Sequence, residues 1–317
     1  MPFVKFDDTS WRSASFRAVL WLSKHLPRGM GPLLKMARSV VGERYIKIRR
    51  QSASPIWLCP NHSIDYEALF GPGYEPSTAV LIRRYVAAGF HYIDVGANIG
   101  LHLVEACHAA KSSSSMCFGF EPEPKAFQVL QRNCESSGYK GAIRLQNKAV
   151  GAKIGDAQLF VSTTWNQGNH SLCPRPGNHA STSCAVTTLD HELLSKKDQL
   201  ASIFLKIDVE GWEVDVLRGA RNLLCAANNV AILCEASEPN LRRAGKSLKQ
   251  LADMVEELGF SYYYEVVDGQ KGLAQYPIAR AFRMPIGNIF LVRGPDASRL
   301  LPPAVSTTGT LPLQSKS

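Results

Sequence analysis

The stretch His91-Tyr92-Ile93-Asp94-Val95 runs without interruption into Gly96-Ala97-Asn98-Ile99-Gly100. A short apolar strand that ends in a glycine-rich turn, with a helix beginning near Ile99, is how α/β proteins bring backbone N–H groups and a helix N-terminus up to a nucleotide-like ligand. The glycine spacing restricts the ligand as well. A dinucleotide fingerprint asks for Gly-x-Gly-x-x-Gly, and Asn98 stands where its second glycine belongs. The motif therefore reads poorly as an NAD site. Taken alone, it also reads as a tight strand-to-helix turn that holds no ligand.

The rest of the chain alternates in the same way. Apolar segments at 91–95, 115–121, 143–150, 157–162, 203–209, 230–235, 262–267 and 288–293 are expected strands. Helical spacing is expected at 78–89, 99–110, 124–137, 213–226 and 241–258. Strands alternating with helices of 10–15 residues predict a mostly parallel sheet covered on both faces. The last two strands have no helix between them, which predicts an antiparallel hairpin at one end of the sheet. Ahead of this unit, residues 10–50 carry apolar side chains at helical spacing, and 51–73 are rich in Pro and Gly, a loop-rich connection with short strands at best. The segment from 296 to 317 reads as a loose tail. The expected division is thus a basic, largely helical extension over 1–73, a main domain over 74–295, and the tail.

Charge is unevenly placed. The net charge is +9, and residues 1–50 hold eleven Lys/Arg against three Asp/Glu, nearly the whole excess. Such an arm suits an anionic surface, or is simply a solvated helix. No window offers the roughly 20 apolar residues of a membrane span, and the N-terminus lacks an apolar signal core, so a cytoplasmic protein is expected, with peripheral membrane contact through the arm as its variant. Eight scattered cysteines without a Cys-x-x-Cys pair read as free, buried thiols in a reducing compartment. His62, His91, His102 and His108 read as structural, and no metal site is expected.

Two further motifs carry chemistry. Phe120-Glu121-Pro122-Glu123-Pro124 ends the second expected strand, with Glu121 21 residues after Gly100. An acid there is placed to accept both hydroxyls of a ribose; Glu123 reads as a helix-start charge. Lys206-Ile207-Asp208-Val209-Glu210 ends a later strand, and alternation puts Lys206, Asp208 and Glu210 on one side while the strand lasts. Ionisable groups clustered at a strand's carboxyl end are costly to bury and are functional candidates, or else an ion pair capping the sheet. Between two β segments, residues 163–171 are aromatic and amide-rich, with His170 as a second candidate base or an idle loop residue.

Together these motifs resemble the FkbM family of S-adenosylmethionine-dependent methyltransferases. The resemblance rests on Ile93 to Gly100, Phe120-Glu121-Pro122, Ala149-Val150-Gly151, Leu189-Asp190, Lys206 to Gly211 and Val216 to Ala220, in order, with Tyr74-Glu75 as the lead-in. Trp212 departs from the small residue usual in the family. The resemblance implies the class I methyltransferase fold, a Rossmann-like three-layer sandwich around a mostly parallel seven-stranded sheet. It implies S-adenosyl-L-methionine as cofactor and a hydroxyl of a sugar, glycan or natural product as methyl acceptor. By position, Gly96, Asn98 and Gly100 lie near the methionine part, Glu121 holds the ribose, Asn147 to Ala149 flank the adenine, and Glu75 reaches the methionine amine or the catalytic space; Asp94, at the strand's end, is placed to accept from the turn's amides or from a ligand ammonium. Asp208 and Glu210 are the expected catalytic carboxylates. The competing classes are a catalytically inactive protein of this fold serving as a binding or membrane-associated module, and a Rossmann oxidoreductase. No specific nucleic-acid partner is expected.

Overall fold

The computed structural model describes residue 39 and residues 42–48, 55–70, 74–111, 113, 115–139, 141–161, 170–174, 180–268, 273–278 and 287–303. Most of the expected helical arm at 10–50, the loop 163–169 and the tail beyond 303 lie outside the described residues. In chain order the strands are β1 (Ile46–Ile48), β2 (Ile56–Leu58), β3 (His91–Val95), β4 (Cys117–Phe120), β5 (Ile143–Gln146), β6 (Ala149–Val150), β7 (Gly155–Val161), β8 (Ala180–Thr187), β9 (Ser202–Ile207), β10 (Asn229–Ala236), β11 (Tyr262–Val266), β12 (Ala274–Pro277) and β13 (Gly287–Arg293). The α-helices are α1 (Ser63–Phe70), α2 (Pro76–Ala87), α3 (Leu101–Ala110), α4 (Pro124–Ser136), α5 (Leu189–Leu193), α6 (Glu213–Arg218), α7 (Arg221–Ala226), α8 (Glu238–Arg243), α9 (Leu248–Glu257) and α10 (Pro295–Arg299).

The main sheet has the order β12-β11-β13-β10-β9-β3-β4-β5. Pairing is parallel from β10 through β5 and antiparallel among β10, β13, β11 and β12. It has eight strands where seven were expected. The extra one, β12, pairs along β11 at the edge. Strands β3, β4 and β9 are buried on both faces, as parallel strands under helices must be. On one face Ile93, Val95, Phe120, Ile203 and Leu205 meet α6, α7 and α9. On the other, Tyr92, Phe204, Leu233 and Phe290 meet Tyr85 of α2 and Leu103 of α3.

Several expected elements are divided. The 143–150 segment breaks at Asn147-Lys148: β5 stays in the main sheet, while β6 joins β8 and β7 in a separate three-stranded sheet. The 213–226 helix breaks at Gly219, where a Cβ would lie 2.0 Å from the carbonyl oxygen of Gly151, so the backbones pack in contact there. The 241–258 helix breaks into α8 and α9 at Gly245, which has φ +67°. Within the loop-rich 51–73 stretch, 63–70 form a full helix. It packs with β1 and β2 over Ile99, Leu101, Ala126 and Val129, so this element covers the glycine turn from outside.

Candidate functional site

Strand register assembles the site. Val95 pairs with Ile207 on one side and Phe120 on the other, and Ile207 pairs with Cys234. The residue following each of these, Gly96, Asp208, Glu121 and Glu235, therefore stands at one level along the carboxyl edge of the sheet. From β3 the chain proceeds outward to β4 and β5 and then returns to β9 and β10 on the other side. A crevice opens at such a reversal of strand order. A cleft of about 540 Å³ lies there, lined by Gly96, Asn98, Glu121 and Ala149 toward β4, and by Lys206, Asp208, Glu210 and Glu235 toward β10.

The turn is built by backbone bonds. The amides of Gly96 and Ala97 both donate to the carbonyl of Phe120, each at 3.0 Å. Asn98 is left-handed at φ 49°, a conformation asparagine tolerates better than most side chains. Its amide donates to Glu121 Oε2 at 2.8 Å, and the amide of Glu123 donates to Oε1 at 2.8 Å. Asparagine at the second-glycine position thus aims a backbone donor at the acid of the next strand. Burial pushes the Glu121 carboxyl up to about 8, against the pull of those two amides.

The opposite wall is acidic. The Asp208, Glu210 and Glu235 carboxylates lie within 4.8 Å of one another. Hard carboxylate oxygens so disposed can take a divalent cation and can equally accept substrate hydroxyls. Lys206 donates to Asp208 Oδ2 at 3.0 Å and is itself 5% exposed. Burial disfavours its ammonium, but Asp208, Asp94 and Glu75 outweigh that and hold the proton more firmly than usual. Glu235 is pushed up to about 8 by burial and by Asp208 and Glu210. The Asn240 amide bridges the pair, donating to Glu210 at 2.6 Å and to Glu235 at 3.0 Å. Strand β9 ends at Ile207, so Asp208 and Glu210 belong to the turn and not to the strand; Glu210 is left-handed at φ 57°.

This is the architecture of a known domain. A family model, the Methyltransferase FkbM domain, matches residues 94–262, more than half of the chain. The chain belongs to the FkbM methyltransferase family. It is 29% identical over 140 residues to the hexuronic acid methyltransferase AglP of Haloferax volcanii, a match covering 44% of this chain and 53% of AglP, so the chain spans about half the length of that relative. Among solved structures, a methyltransferase FkbM from Methylobacillus flagellatus superimposes with a TM-score of 0.38 at 12% identity, covering 92% of this chain and 83% of the other. M. jannaschii TYW2 in complex with AdoMet gives a TM-score of 0.37 at 9% identity, covering 78% of this chain and 84% of the other.

Seven of the ten residues expected from the sequence line the cleft: Glu75, Gly96, Asn98, Glu121, Ala149, Asp208 and Glu210. Three do not. Asp94 lies beneath the turn, where Oδ2 accepts from the Tyr92 hydroxyl at 3.1 Å and the buried Oδ1 faces Lys206 at 3.9 Å without a hydrogen bond. Gly100 caps α3 against Leu130. Asn147 donates to the carbonyls of Glu121 and Pro122 and shapes the turn that carries Glu121. Glu75 sits left-handed at φ 41°, directly before α2. Burial pushes its carboxyl up, but the hydrogen bond from His102 Nε2 at 3.0 Å and the nearby positive charges reverse this and hold it at about 2. His170 and Trp212 also line the cleft, and the Trp212 indole donates to Cys173 Sγ at 3.1 Å. Glu235 and Asn240 escaped the sequence reading, and His102, read there as structural, lines the cleft and is hydrogen-bonded to Glu75. Glu235 closes an expected strand, and its place beside the Asp208 strand was the available signal.

Seven of the eight cysteines are buried free thiols and Cys225 is exposed. Among the described residues, no helix is long and apolar enough to cross a membrane.

Proposed function

We propose that this protein is an S-adenosylmethionine-dependent O-methyltransferase acting on a hydroxyl of a sugar or glycan. One observation carries the reading: a single cleft at the reversal of strand order has a glycine turn and a buried acid on one wall and a carboxylate cluster on the other. Family membership supports the methyl-transfer reaction, and the name of the Haloferax relative supports a sugar as acceptor class. The bound cofactor supplies an electrophilic methyl group on a sulfonium. Glu121 accepts hydrogen bonds from the ribose hydroxyls, Gly96 and Asn98 let the backbone approach the methionine part, and Ala149 flanks the adenine. Glu75, held ionised by His102, faces the methionine ammonium.

Asp208, Glu210 and Glu235 would orient the acceptor hydroxyl, and Asp208 would take its proton when the cofactor supplies the methyl group. Aligning two reactants can supply about 7–11 kcal/mol of the barrier, and a positioned base adds about 10²–10⁴-fold. Three carboxylates in one wall repel an anionic group, which favours a neutral hydroxyl over a sugar acid. Calorimetry tests the cofactor assignment. S-adenosylmethionine is expected to bind and NAD is not, with Glu121→Gln weakening binding by about 10-fold, the order of one lost hydrogen bond. Binding of NAD alone would restore the oxidoreductase reading. Binding of neither would favour an inactive module.

The proposal extends to the basic segment 1–50, which we place on an anionic surface such as lipid headgroups. Truncation of that segment is expected to release the chain from anionic vesicles in co-sedimentation. Retention of the truncated chain on the vesicles would remove the role.

A further inference from the structure

Outside the cleft, Cys59-Pro60-Asn61-His62 forms a tight turn closed by the amide of His62 donating to the carbonyl of Cys59 at 3.0 Å. Ile46 pairs with Leu58, so the chain before β1 runs back alongside this turn and carries Glu43 to it. The side chain of Asn61 fastens the two segments by donating to the carbonyl of Gly42 at 2.9 Å. The result is that the Cys59 thiol, a His62 ring nitrogen and a Glu43 carboxylate oxygen all lie within 4.8 Å of one another. We propose that Glu43, Cys59 and His62 bind a zinc-class divalent cation that clamps the β1–β2 hairpin to the start of α1.

The donor set decides the class of ion. Thiolate, imidazole and carboxylate are the ligands of zinc, and a thiolate excludes calcium or magnesium as the natural occupant. The two negative ligands match a divalent charge. His62 is oriented as a ligand is: Nε2 lies 2.9 Å from Glu43 Oε2, while Nδ1 faces the Tyr45 hydroxyl at 3.3 Å and the buried Asp65 carboxylate at 3.9 Å. An acceptor behind the second ring nitrogen fixes the tautomer and points the first at the metal. Glu43 lies at the exposed end of the site, so water can take the fourth position. Binding transfers the thiol proton to solvent.

The site also bears on the cleft. Helix α1 starts at the residue after His62, and its Ser63, Ile64 and Glu67 form part of the cleft wall. A metal at its head would hold that wall in place.

Cobalt(II) titration of the chelator-treated full-length chain, under a non-thiol reductant, reads the site directly. One equivalent is expected to give a sulfur-to-cobalt charge-transfer band that zinc displaces, and zinc is expected to raise Tm by several degrees. Cys59→Ala and His62→Ala are expected to lose the band, while Cys225→Ser, at the exposed thiol, keeps it. Glu43→Gln, at a surface position that folding tolerates, is expected to weaken cobalt binding by at least about 10-fold. Absence of the band in the unaltered chain, its survival in Cys59→Ala, or unchanged affinity in Glu43→Gln would overturn the proposal.

Discussion

Gly96→Ala is expected to abolish detectable cofactor binding and to lower Tm by about 3–6 °C. Gly96 has φ +80°, and a Cβ there would lie 1.9 Å from the carbonyl oxygen of Asp208 and 2.9 Å from its carbonyl carbon. Both obstacles are backbone, so no rotamer change relieves them. The turn would have to lift from β9, costing about 2–4 kcal/mol from overpacking and the left-handed conformation together. Lifting it also withdraws the Asn98 amide from Glu121, which removes two parts of the cofactor wall at once. Gly155→Ala is the control, since that position has nothing within 4 Å and no positive φ. Differential scanning fluorimetry and calorimetry read the two effects. A Gly96→Ala protein with ordinary Tm and ordinary affinity would mean that the turn does not set the cofactor wall.

The second large effect is expected from Asp208→Asn: a fall in kcat of about 10²–10⁴-fold, with affinity for S-adenosylmethionine within a few-fold of the parent. Asparagine keeps the shape, and its amide oxygen can still accept from Lys206, but it cannot take a proton. The separation of kcat from affinity matters, because Asp208 stands on the acceptor wall, opposite Glu121. Glu210→Gln is expected to cost less, since that carboxylate is already committed to the Asn240 amide. Single-turnover methyl transfer with a hydroxyl acceptor measures both variants. If Asp208→Asn retains turnover and Glu235→Gln loses it, the base is Glu235, whose carboxyl is pushed up to about 8 by burial and by its acidic neighbours.

Much of this was legible in the residues themselves. The apolar runs of β3, β4, β9 and β10 meet Gly or an acid at their carboxyl ends, so these strands were placed within a few residues, and so were the groups at their ends. The misses have common causes. Gly219 was read as the interior of one helix because its reason for being glycine is the Gly151 backbone, far away in sequence. Strand β12 carries no periodicity of its own and exists through its pairing with β11. Helix α1 was hidden between Pro60 and Gly71, and its stability comes from burial against Ile99 and Val129 more than from its eight residues. Asp94 was read as facing a ligand; pairing of Asp94 with Lys206 across β3 and β9 turns it inward instead.

What the sequence determined by itself was local. It set the turn chemistry at Gly96 and Asn98, the acids at the ends of β4, β9 and β10, the alternation that demands a covered parallel sheet, and the family to which the chain belongs. What only the tertiary structure decided was level and neighbourhood. Side-chain identity is written residue by residue, but register is a property of paired strands. It is the register of β4, β3, β9 and β10 that brings Glu121, Gly96, Asp208 and Glu235 to one height on one edge and makes four strand ends into a single cleft.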